Sequence, residues 1–82
     1  MPNDVRLSVK ITDQEYLAAC KLMRTRTLNE KQQRRLQALM LRYEGLNNKE
    51  IAQRLGFTHS YIAVLMRTFR ARGMEDYLKL ND

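Results

Sequence analysis

What this chain has little of bounds it first. Its 82 residues include one cysteine, one histidine, one proline, three glycines and no tryptophan. A lone cysteine, Cys20, excludes an internal disulfide and a cysteine-based zinc site, and it fits a reducing compartment. His59 has no partner residues at ligand spacing, so no metal is expected. The single proline is Pro2, so nothing after it carries that helix breaker. No apolar run approaches the ~20 residues of a membrane span, and no stretch has the pattern of a cleaved signal peptide. Glycine-rich phosphate loops and Ser-His-Asp sets are missing. Asp13 and Glu15 are explained by a helix start, and Glu75 and Asp76 have no third acidic neighbour. No catalytic site, cofactor or small-molecule substrate is expected, so the chain reads as a non-enzyme.

Acidic residues are also few, nine against fifteen lysines and arginines, for a net charge of +6. Their placement matters more than their number. Lys21 to Arg72 holds twelve of the basic residues and only Glu30, Glu44 and Glu50 of the acids. The two ends hold the remaining three basic and six acidic residues. A basic centre with acidic flanks suits a polyanionic partner. On charge alone, a solvated helical surface explains it equally well.

The chain is long enough for one small domain with a modest core. Val5 to Ile11 alternates apolar and polar residues, a strand-period pattern with no second strand to pair with. Residues 1–11 therefore read as an extended arm or a short strand. Thr12 to Glu15 has the spacing of a capping box and opens a first helix to about Arg24, with Tyr16, Ala19, Cys20 and Met23 as its apolar stripe. Asn29 with Gln32 opens a second, to about Glu44, whose stripe is Leu36, Leu39, Met40 and Tyr43. Asn47 with Glu50 opens a third, and Thr58 a fourth that runs to about Arg72 and stops at Gly73. Residues 12–73 form the expected domain. The tail 74–82, with Tyr77, Leu78 and Leu80, reads either as local packing or as the beginning of a linker.

Asn48 to Arg67 has the form of a helix-turn-helix. Ile51 and Leu55 face the core one turn apart, and Ala52 is small enough for a second helix to cross close by. Gly56 supplies the left-handed residue that ends the first helix of the pair. Ile62, Leu65 and Phe69, flanked by Met66, make the buried stripe of the next. Such a motif lays its second helix in the DNA major groove. The fold class is therefore all-α, a homeodomain-like helix-turn-helix domain of four helices with a short extended N-terminal arm.

The face opposite that stripe carries Ser60, Tyr61, Val64 and Arg67, with His59 at the helix start. These are the candidate base-reading residues. His59, Ser60 and Tyr61 donate or accept hydrogen bonds, Val64 suits a thymine methyl, and Arg67 forks onto guanine or binds phosphate. The phosphate candidates are Arg42, Lys49, Arg54, Thr58 and Arg70; Lys49 lies in a first helical turn whose amides favour an anion. Each of these five is also well explained as a solvated side chain.

Residues Leu36 to Gly73 resemble the N-terminal DNA-binding region of bacterial insertion-sequence transposases of the mariner superfamily. The likeness rests on Glu44-Gly45-Leu46, Glu50-Ile51-Ala52, Leu55-Gly56, Ile62, and Phe69-Arg70 followed by Gly73. Leu7 and Thr12-Asp13-Gln14-Glu15 resemble that family's opening segment, while Leu65 stands where the family often has tryptophan. The resemblance implies binding to the terminal inverted repeats of a mobile element, with the metal-dependent carboxylate chemistry residing in a separate domain. Gly45 to Val64 is also similar to the output domain of LuxR-type regulators.

The expected partner is double-stranded DNA, read sequence-specifically, and the expected location is the cytoplasm, on the nucleoid. The other readings are a small stand-alone transcriptional regulator and a protein-interaction module on the same fold. The arm has competing roles of its own. Two copies could pair it antiparallel into a homodimer, or it could pack on the first helix, or enter the minor groove through Arg6 and Lys10.

Overall fold

The computed structural model describes residues 10–80. Most of the expected arm (1–9) and the last two residues lie outside the described residues. Four helices follow in order: α1 Asp13–Thr25, α2 Glu30–Tyr43, α3 Asn48–Leu55 and α4 His59–Leu78. Among the described residues there is no strand. The chain is thus the all-α helix-turn-helix fold that its periodicity indicates.

Each helix begins where a side chain satisfies an otherwise orphaned amide. Thr12, Asn29 and Asn47 form complete capping boxes with Glu15, Gln32 and Glu50. Thr58 caps α4 by accepting from the amide of Tyr61 at 3.1 Å. At the end of α3, Gly56 adopts φ 76° and ψ 27°, and its amide and that of Phe57 both donate to the Ala52 carbonyl. That left-handed residue turns the chain directly from α3 into α4.

The core is shared by all four helices. Leu36 and Leu39 of α2, Ile51 of α3, and Ile62 and Leu65 of α4 are fully buried, with Met66 and Phe69 nearly so. Ala19 of α1 and Ile11, just before it, close one side. α1 seats on α2, while α2, α3 and α4 pack on one another as a trihelical body.

α4 is two helices in line. Gly73, at φ 88° and ψ 179°, interrupts it where the sequence places its stop, and helix resumes to Leu78. That backbone conformation is open to glycine and costly for any other residue. The bend turns Tyr77 and Leu78 into the core, where they are 0% and 1% exposed. The Tyr77 hydroxyl donates to the Arg35 carbonyl at 2.7 Å, and its ring meets Phe69 edge-on at 5.4 Å. Gln32 Nε2 donates to the Leu78 carbonyl at 3.1 Å. Of the two readings of the tail, local packing therefore holds through Leu78. Arg35, one of the basic residues of the chain's centre, is 2% exposed beneath this tail and reaches the Leu78 carbonyl.

Candidate nucleic-acid interface

The outward side of α4 follows from its inward side. Ile62, Leu65, Met66 and Phe69 are buried. At ~100° per residue, Ser60, Val64, Arg67 and Ala71 then fall on one stripe directly opposite. All four are exposed. Ala71 belongs to this stripe although it is not among the residues singled out by chemistry; the same period that selects Ser60, Val64 and Arg67 reaches it. From Ser60 to Ala71 the stripe is about 16 Å long, at ~1.5 Å per residue. The side chains on it are small or apolar except for Arg67, and Val64 is 43% exposed.

The other two base-reading candidates lie on the flanks. His59 is exposed in the first turn. Tyr61 is only half-buried-side out: its ring packs edge-on against Phe57 at 4.9 Å, which leaves it partly covered. It lines the rim of the stripe and supports the turn at the same time.

The five phosphate candidates separate into two groups. Lys49 and Arg54 are exposed on α3, and among the described residues neither is held in an ion pair. Thr58 is exposed, and its hydroxyl serves as the cap of α4 by accepting from the Tyr61 amide. Arg42 and Arg70 are engaged inside the fold. Arg42 is half-buried and donates from Nη1 to the Leu46 carbonyl at 3.1 Å, which braces the turn between α2 and α3. Burial lowers its pKa, the direction expected for a desolvated cation. Arg70 is clasped by Glu15, with Nη1 to Oε2 at 2.9 Å and Nη2 to Oε1 at 3.1 Å. Its Nη2 also donates to the Lys10 carbonyl. Arg42 thus spends part of its donor set on the turn, whereas Arg70, with its side chain 46% exposed, keeps N–H donors beyond those that Glu15 and Lys10 take. The sequence could not show this, because the partners of Arg70 lie 55 and 60 residues away.

Elsewhere the acids of the chain are largely spoken for. Arg26 meets Glu75 at 3.4 Å and Arg34 meets Glu30 at 2.9 Å. The Arg70 guanidinium, helped by the Thr12 amide, holds the Glu15 carboxyl below the usual carboxylate range. Tyr43 stacks on Tyr16 at 4.2 Å and donates to Asp13 at 2.6 Å, and that acceptor raises its phenol pKa. Among the described residues, no three His, Cys, Asp or Glu side chains group as a metal site. No helix among them is long and apolar enough to cross a membrane.

Compared with known families, residues 29–79 match the model of a homeodomain-like domain. The match covers α2, the α3–α4 pair and the tail that packs beneath them, and leaves α1 outside. No curated protein and no solved structure matches the chain.

Proposed function

Since the chain belongs to the homeodomain-like domain family, we propose that it binds duplex DNA in a sequence-dependent way, with α4 lying in the major groove. The observation that carries this is the outward stripe of α4. It combines one fork-shaped cation, Arg67, with small and apolar neighbours, at the end of a helix-turn-helix whose turn is correctly built. Ser60 and Val64 read base edges near the helix start, Arg67 reads a guanine or grips the groove wall, and His59 and Tyr61 act at its rim. Lys49, Arg54 and the Thr58 hydroxyl hold phosphates on either side of the turn. Arg42 and Arg70 serve the fold.

Within DNA binding, the reading favoured is recognition of the ends of a mobile element. It rests on the resemblance over Leu36 to Gly73 to transposase end-binding domains. The chain contributes binding and no bond-breaking step of its own.

Selection of bound duplexes from a random pool tests both levels. Recovery of one enriched motif is expected. Motifs that match terminal inverted repeats support the end-binding role, whereas a motif found upstream of genes supports a small regulator. A pool that stays random at low salt, with no retained duplex, sinks DNA binding and leaves a protein-interaction module.

A further inference from the structure

Glu15 lies outside the segment that matches the homeodomain-like family, yet it grips the helix that carries the candidate reading residues. Its two carboxylate oxygens take both terminal nitrogens of Arg70. The same carboxylate accepts from the Thr12 amide at 2.9 Å, so the first turn of α1 holds it in place. On the other side, the Arg70 guanidinium lies 5.3 Å from the ring of buried Phe69 and donates to the Lys10 carbonyl. Lys10 and Glu15 thus take Arg70 from one N-terminal segment, while Phe69 backs the guanidinium on α4 itself. Arg26, near the far end of α1, reaches Glu75. Side chains at the two ends of α1 therefore reach α4 on both sides of the bend at Gly73.

Arg70 is three residues beyond Arg67, which places it about 60° round the helix and about 4.5 Å along it. It sits beside the reading stripe without being part of it. We propose that Glu15 is a positioning residue for DNA reading: the buried stripe of α4 sets its roll coarsely, and by gripping Arg70 the Glu15 carboxylate trims that roll, and so the direction in which Ser60, Val64 and Arg67 point. This role rests on the reading of α4 as the helix that enters the groove.

Geometry decides between this role and a purely stabilising one. The two side chains are 46% and 27% exposed, and ion pairs so placed add little to stability. What a forked pair supplies is direction, because two parallel N–H···O bonds fix the guanidinium plane. The surface of a helix lies about 5–6 Å from its axis, so a roll of about 10° moves it by about 1 Å. That is roughly twice the tolerance of a well-held binding group.

The test uses the intact chain, a duplex enriched from the random pool and a scrambled duplex of equal length. Kd is measured on both for the wild type, Glu15→Gln and Arg70→Lys, and thermal melts are recorded in parallel. Glutamine keeps the capping box and loses the charge; lysine keeps the charge and cannot fork. Both variants are expected to melt near the wild type. In both, the preference for the enriched duplex should shrink by about tenfold, the lower end of what one bidentate base contact discriminates. An unchanged preference in both variants overturns the role. So does uniform tightening on both duplexes in Glu15→Gln, since Glu15 would then only shield a phosphate-binding cation. A loss confined to Arg70→Lys overturns it as well, and assigns the effect to direct contact by Arg70. If the wild type itself shows no preference, the DNA reading fails and this role falls with it, a result distinct from the other three.

Discussion

Four arginines of similar appearance in the sequence do four different things. Arg35 is buried under the tail, Arg42 braces a turn, Arg70 is clasped by Glu15, and Arg67 points outward with no ion pair among the described residues. Arg67→Ala is therefore expected to cost about 1–3 kcal/mol on a preferred duplex if it forks onto a base. If it touches only phosphate, the cost is smaller and equal on every sequence. Titration of enriched and scrambled duplexes separates the two cases. Glu15 makes a prediction in acid. Its folded pKa is depressed by Arg70, so the stability it contributes is present above the ordinary carboxylate pKa and is lost as pH falls through the lowered value. For a half-exposed pair the effect is under about 1 kcal/mol. The melting temperature of the wild type should then fall slightly more steeply than that of Glu15→Gln between about pH 6 and about pH 3; parallel curves would show that the pair contributes nothing to stability. The residues legible in the sequence are those whose partners are local. Thr12 with Glu15, Asn29 with Gln32 and Asn47 with Glu50 are three residues apart, and each forms the pair its spacing implies. Arg35, Arg42 and Arg70 were legible only as positive charge, since burial and long-range partners are what distinguish them.

Among the elements, α4 is the one whose sequence signals conflict most usefully. Its apolar period up to Phe69 gives the inward and outward faces, and Gly73 ends that period. Nothing local says that the chain then turns Tyr77 and Leu78 inward, because the pocket they fill is made by α2 and Phe69. Tyr77→Ala is expected to destabilise the domain by about 3–5 kcal/mol, as buried aromatic truncations do. Tyr77→Phe should cost only about 1 kcal/mol, the net worth of one hydrogen bond. Chemical denaturation of the two variants measures both, and equal losses would show that the hydroxyl rather than the ring fastens the tail. The turn between α3 and α4 is simpler. A side chain at Gly56 would meet nothing within 4 Å, so the objection to one is its φ of 76° alone. Gly56→Val is expected to destabilise by at least about 1–2 kcal/mol, the cost of the left-handed region to a residue with a Cβ and more to a branched one. An unchanged melting temperature would mean that the turn is built differently.

For the whole molecule, folding rearranges the charge pattern that the sequence displays. The acidic ends are not merely flanks. Glu15 and Glu75 fold back onto Arg70 and Arg26 of the basic centre, and the interior covers Arg35. Of the twelve cations between Lys21 and Arg72, Arg26, Arg34 and Arg70 are ion-paired and Arg35 is buried. Lys21, Arg24, Lys49, Arg54, Arg67 and Arg72 are exposed outside those pairs, and those around α3 and α4 are the ones that a groove-bound α4 brings near DNA. A domain that neutralises about three or four phosphates should show a log–log salt slope near −3, at ~0.9 per contact. Titrating one duplex at several salt concentrations measures it; a slope near zero would remove electrostatics from the account, and one of about −5 would mean that Arg42 and Arg70 also open onto phosphates. The bend at Gly73 has a further consequence, and it concerns the order of events. The helix caps close loops of three residues, whereas Tyr77 meets Arg35 across 42 and Gln32 meets Leu78 across 46. Contacts so distant along the chain are slow to find. The segment after the bend should therefore dock late as the chain folds, after α2 has formed the surface that receives it, and a stopped-flow trace that followed the Tyr77 ring would show its burial in the slowest phase.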